Sequence, residues 1–220
     1  MAPIQHLGNI DKRKRASQQV AFGFFSFLSY LVVVILFVIL GFIILKGASV
    51  ISWDFLTQAP QEGMTSGGIF PAIVGTLYLV IGSSLISFPI GIMSGIYMNE
   101  YATNGKLIRF IRIMTNNLSG VPSVVFGLFG MSLFVSTLGW GDSIIAGSFT
   151  LALMSLPLII RTTEEALKSI DDSFRHGSLA LGATKLQTIR RVVLPMAFPN
   201  IIPGLILSVG RVSGETAPIL

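Results

Sequence analysis

Cysteine is absent from the 220 residues. No disulfide framework, thiolate metal site or cysteine nucleophile can be built, and redox usage gives no compartment. Charge is also scarce: Asp, Glu, Lys and Arg make up 11% of the chain, against about a quarter in ordinary soluble domains. That deficit excludes a water-facing surface of this size. Histidine occurs only at His6, in a tail read as solvated, and at His176, outside the apolar runs. Among the acids only Glu215 stands deep in such a run. An intramembrane enzyme would need several such groups together, so that class is disfavoured. No Gly-x-x-x-x-Gly-Lys-Ser/Thr loop occurs, and Asn104-Gly105-Lys106-Leu107 lacks both the earlier glycine and the hydroxyl. The usual cradle for ATP phosphates is missing.

What the chain does have is apolar length: 52% of it is hydrophobic. About 20 such residues cross a hydrocarbon core. Five spans are expected, at 20–45, 69–98, 113–135, 143–160 and from 194 onward. The first is too long for a signal-peptide core, and no small-residue cleavage site follows it, so it reads as a retained span. The fold class is an all-α polytopic membrane protein. The formal charge of +5 does not point to nucleic acid, because the basic residues stand between apolar runs. All but Lys46 and Arg211 fall in the 1–19 tail, the loop after span two or the loop after span four. The positive-inside rule puts those segments and the N-terminus in the cytoplasm. Segment 47–68 is then extracytoplasmic, with Trp53 and Phe55 as interfacial anchors. The divisions are a basic tail (1–19), a first span with its outer segment (20–68) and a core (69–220) with a cytoplasmic loop (161–193). The final run stops at Ala217-Pro218-Ile219-Leu220 with no polar tail, and a further C-terminal span is expected beyond it. Glycines at 75, 82, 91, 95, 120, 127 and 130 suit close helix packing in lipid.

The loop 161–193 carries local signals. Thr162-Thr163-Glu164-Glu165 has the form of a capping box and predicts a helix start there. Asp171-Asp172-Ser173 ends that helix and supplies the next N-cap. A short helix over 174–181 follows, then Gly182 as a left-handed C-cap. Thr184-Lys185-Leu186-Gln187 is a second capping box. These signals fit either a rigid knob offered to a cytoplasmic partner or a plain amphipathic surface loop. At membrane depth, Arg211 and Glu215 are four apart and share a helix face. Ionisable groups there are costly and usually functional. An arginine fork suits phosphate oxygens. A carboxylate can accept a hydrogen bond from a protonated oxyanion, which a fully ionised one does not offer. The pair therefore reads as an anion path, with a purely structural ion pair as the alternative. Arg161, at the cytoplasmic end of span four, is a further path candidate. Asn116 and Asn117 could bond across helices. If the last helix is buried only from about Pro199, the pair lies within the bilayer. If burial starts at Val193, the pair lies about 27 Å along, near the outer interface.

His176-Gly177-Ser178-Leu179-Ala180-Leu181-Gly182, then nine residues, then Val192-Val193-Leu194-Pro195 resembles the Glu-Ala-Ala loop of ATP-binding cassette (ABC) importer permeases. Gly182, Leu194 and Pro195 fall in register; His176-Gly177-Ser178 stands where Glu-Ala-Ala is expected. Three further stretches resemble the phosphate-specific branch: Gly67-Gly68-Ile69-Phe70-Pro71-Ala72-Ile73-Val74-Gly75-Thr76, Gly120-Val121-Pro122-Ser123-Val124-Val125-Phe126-Gly127 and Gly214-Glu215-Thr216-Ala217-Pro218. The last resembles the A-type rather than the C-type phosphate permease subunit. The resemblance implies a type I importer membrane domain in a bacterial inner membrane, importing phosphate without catalysing hydrolysis itself. It implies that His176, Gly177, Ser178, Leu181, Gly182 and Ala183 contact an ATPase, and that ATP and magnesium bind there, with no cofactor in this chain. Implied partners are a homologous C-type permease, two ATPase copies, an extracytoplasmic phosphate-binding protein and lipid. An importer of molybdate, sulfate or an amino acid stays open, as does a scaffold without transport.

Overall fold

The computed structural model describes residues 4–102 and 105–219, and the side chains of 4–13, 16, 64 and 107 are also left undescribed. His6, Lys12, Arg13 and the Asn104 and Leu107 of the rejected phosphate loop thus fall, in whole or in side chain, outside the described residues. The chain divides into two compact units, Met1–Phe70 and Pro71–Leu220. In the first, α1 (Ile4–Gly47) contains an apolar run over 17–47. The short helix α2 (Trp53–Thr57) starts at Ser52, whose Oγ accepts from the Phe55 amide. A two-residue hairpin, β1 (Pro60–Gln61) against β2 (Ser66–Gly67), closes the unit. The alternation is too short to read as strand in the sequence.

The second unit is helical: α3 (Phe70–Ile96), α4 (Lys106–Leu118), α5 (Ser123–Gly130), α6 (Ile144–Lys168), α7 (Asp172–Ala180), α8 (Lys185–Thr188) and α9 (Leu194–Gly214). Wide π-helical turns extend α3 over Tyr97–Tyr101, extend α5 over Met131–Thr137, and join α8 to α9 over Ile189–Val193. Among the described residues four helices have the length and apolarity of a membrane span, at 17–47, 70–101, 144–168 and 185–214.

The expected third span is not one straight helix. It is α4 and α5, bent by 104° at a short break. Pro122 has no amide hydrogen and disfavours helical backbone at Val121, and Gly120 adds backbone freedom beside it. The helix break expected at Thr162 is absent too. Thr162 Oγ1 donates back to the Leu158 carbonyl at 3.0 Å instead of capping a new helix, so α6 continues to Lys168. The helical rod that carries the last span begins at Lys185 rather than after Leu194, and Pro195, Pro199 and Pro203 are carried inside it. The wide turn over 189–193 accommodates the spacing change that the prolines impose.

α6 is the centre of the unit. Leu151, Ile159 and Leu167 are fully buried along it. α3 meets it through glycine: a Cβ on Gly91 would stand 2.6 Å from Ile159 Cγ2, and one on Gly95 2.7 Å from Thr163 Cβ. Buried Ser83, Ser87, Ser148, Ser155 and Ser208 continue this small-residue packing, which lets backbones approach where lipid supplies no hydrophobic drive. Gly75 has no such neighbour among the described residues.

Candidate functional site

At the end bearing the basic loops, α7, a turn and α8 form a knob. Asp171 caps α7, its Oδ1 accepting from the Ser173 amide at 2.7 Å. Those bonds from Ser173 hold the Asp171 carboxyl below its ordinary range. Because the folded value is depressed, this cap stabilises the fold above the ordinary carboxylate pKa and is lost as pH falls through the lowered one. α7 closes with the Gly182 amide donating to Leu179 O at 3.0 Å and the Ala183 amide donating to Ser178 O at 3.3 Å. Gly182 has φ +84°, a conformation that β-carbon sterics deny most residues. Thr184 and Gln187 then form both halves of a capping box. Ser178 Oγ and Thr188 Oγ1, 2.9 Å apart, tie the two short helices together. His176 lines a cavity of about 620 Å³ beside the knob, with Glu100, Lys168, Asp172, Arg175 and Lys185. Gly177 has open space at its α-carbon, and Leu181 projects from the turn, 91% exposed.

Sequence reasoning missed what holds the knob in place. Arg175 Nη2 donates to Glu100 Oε1 at 2.8 Å, and its Nε bonds the same carboxylate. The two residues are 75 apart in sequence, and their side chains are 15% and 7% exposed. Glu100 holds the Arg175 guanidinium above its ordinary range, against the opposing effect of burial. Glu215 is thus not the only enclosed acid. Glu164 is buried as well, with Arg112 Nη2 and Lys168 Nζ each 2.8 Å from its Oε1. Both cations approach off the line of a good hydrogen bond, so the attraction there is coulombic more than directional.

Arg161 is exposed and pairs with Glu165, Nε to Oε1 at 2.9 Å. Such a pair adds little to stability. It borders a cavity of about 250 Å³ with Arg112, Asn116, Glu164 and Lys168.

Arg211 and Glu215 do meet, Nε to Oε1 at 3.3 Å, with side chains 37% and 19% exposed. α9 ends at Gly214, and Glu215 is extended at φ −82°. Packing register fixes their depth. Ala197 and Ile201 cluster with Ala166 and Leu167 at the charged end of α6. Val212 clusters with Phe126, Leu151 and Met154. Those α6 residues lie about 11–15 Å from its Ile144 end, half-way along an apolar stretch of about 25 Å that ends before Arg161. The first turns of α9 are therefore level with charged residues, and the pair is level with the middle of α6. Beyond Glu215 the chain turns back, and Pro218 lies against Gly127 of α5. Arg161, at the other end of that stretch, is not brought to the pair.

An apolar helical core, an ion pair level with the middle of its central helix where α9 ends, and a capped knob at its basic end have the form of a polytopic membrane domain. A family model described as binding-protein-dependent transport system inner membrane component matches residues 87–220. The chain is 37% identical over 207 residues to a probable ABC transporter permease protein, YqgI, of Bacillus subtilis, covering 94% of this chain and 70% of that one. It is 38% identical over 216 residues to the phosphate transport system permease protein PstA of Mycobacterium leprae, covering 96% and 70%. Against the PstA of Haemophilus influenzae it is 36% identical over 201 residues, covering 88% and 70%. Among solved structures, inward facing conformations of the MetNI methionine ABC transporter share the fold at TM-score 0.60 and 24% identity, over 66% of this chain and 72% of that one. The chain belongs to the family of binding-protein-dependent transport system inner membrane components. It is a multi-pass permease subunit of the ABC importer class, with the type I importer fold expected from its sequence.

Proposed function

We propose that this chain is the A-type permease subunit of an ATP-driven phosphate importer. The carrying observation is the Arg211–Glu215 pair, level with the middle of α6 where α9 ends, in a chain whose relatives include phosphate permeases. The fork of Arg211 receives phosphate oxygens. Glu215 holds Arg211 while the path is empty, and accepts a hydrogen bond from monohydrogen phosphate when it is occupied. Non-helical backbone at this depth is tolerated where it lines a protein-enclosed path, which fits the extended segment from Glu215. Arg161 lies where the anion leaves, on the basic side. A homologous C-type permease supplies the other wall. An extracytoplasmic binding protein delivers phosphate, and two ATPase copies bind ATP with magnesium and meet the knob at His176, Gly177, Ser178, Leu181, Gly182 and Ala183.

The test is uptake by the reconstituted complex with competing oxyanions. Phosphate and its close mimic arsenate should compete for uptake; sulfate and molybdate should not. Import of sulfate or molybdate in preference to phosphate overturns the assignment.

The same reading places the N-terminus in the bacterial cytoplasm. A reporter enzyme fused after Trp53 should be active only outside the inner membrane, and one fused after Asp172 only inside. The opposite pattern would remove the knob from any cytoplasmic ATPase.

A further inference from the structure

Both arms of the knob seize the same piece of the core. From α7, the five N–H donors of Arg175 are all engaged. Nε and Nη2 hold Glu100, Nη2 also donates to the Leu167 carbonyl, and Nη1 donates to the Ile170 carbonyl and to Asp172. From α8, Lys185 Nζ sits 4.9 Å from the centre of the Tyr101 ring. Glu100 and Tyr101 belong to the wide turn over Tyr97–Tyr101 that ends α3. Wide turns of this kind are uncommon and gather at functional places in helices. α3 itself lies on α6 through Gly91 and Gly95, with no room for a Cβ between the helices.

We propose that the Glu100–Arg175 pair is the joint through which displacement of the knob becomes displacement of α3: a positioning pair for coupling, not a docking contact. It rests on the coupling role proposed above. A knob held only by its loops would move without dragging the core. A carboxylate bonded twice by a planar fork resists both sliding and rotation, which a lysine in place of Arg175 would not reproduce. The pair is also enclosed on the core side, so its bond survives whatever partner sits on the knob.

A buried ion pair can often be replaced by apolar residues of similar volume without loss of stability. The double variant Glu100→Leu/Arg175→Met therefore separates folding from coupling. It is made in the full transporter, with ATPase co-purification, ATP hydrolysis and phosphate uptake measured together. The expected result is assembly and hydrolysis close to wild type with phosphate imported per ATP reduced about 5–150-fold, the usual range of a coupling free energy between sites. Arg175→Lys should fall between. An assembled complex whose hydrolysis and uptake fall in parallel has lost only structure, and that outcome overturns the joint, as does a wild-type ratio. If the double variant does not assemble, Glu100→Gln decides: it keeps an acceptor for Nη2 and loses the charge, and a wild-type ratio or failed assembly there also overturns the proposal. Failure of the underlying function looks different, because the unmodified complex would then import no phosphate.

Discussion

Glu215→Gln should lower phosphate uptake about tenfold or more, the low end of what a hydrogen bond to a charged group contributes. The low end applies because Arg211 is 37% exposed in this chain. The substitution keeps the shape and one acceptor but removes the charge that holds Arg211 at 3.3 Å. ATPase co-purification should be unchanged, since the knob lies at the far end of α9. Arg211→Lys keeps the charge and loses the fork, so uptake should be weaker than wild type but measurable. Wild-type uptake by Glu215→Gln returns the pair to a structural role. So would a loss of assembly matching the loss of uptake.

Gly182→Val should uncouple hydrolysis from import. A Cβ at Gly182 meets no described atom within 4 Å, so crowding is not the cause. The cost is backbone: a β-branched residue at φ +84° is strained by about 1–3 kcal/mol. The turn relaxes by swinging α7 away from α8. The complex should still insert and hydrolyse ATP, with phosphate moved per ATP reduced by about 5–150-fold, the same free energy written as a ratio. Gly182→Asn, which tolerates the left-handed region, should recover most of it. A wild-type ratio for Gly182→Val would count against the knob as the coupling element.

The knob was legible because its chemistry is local. Asp171, Gly182 and the Thr184–Gln187 box act on backbone groups two to four residues away, and such distances are written in the chain. The same logic misled at Thr162, where a box-like spacing lies inside a helix already stabilised from both sides. There the hydroxyl found the Leu158 carbonyl first. Arg211 and Glu215 could be paired from their spacing, but their depth could not, because it depends on α9 sliding against α6. Glu100 gave no signal, and Glu164 gave only the spacing to Lys168 four residues on. The cations that enclose them come from segments that only folding brings near: Arg175 for Glu100 and Arg112 for Glu164. The bend between α4 and α5 was half visible, in Gly120 and Pro122, and was overridden by the apolar run that follows.

Leu181 stands almost wholly in water at the tip of the turn. Covering a leucine contributes about 1.5–3 kcal/mol, and on the proposed complex that burial is part of what makes the subunits adhere.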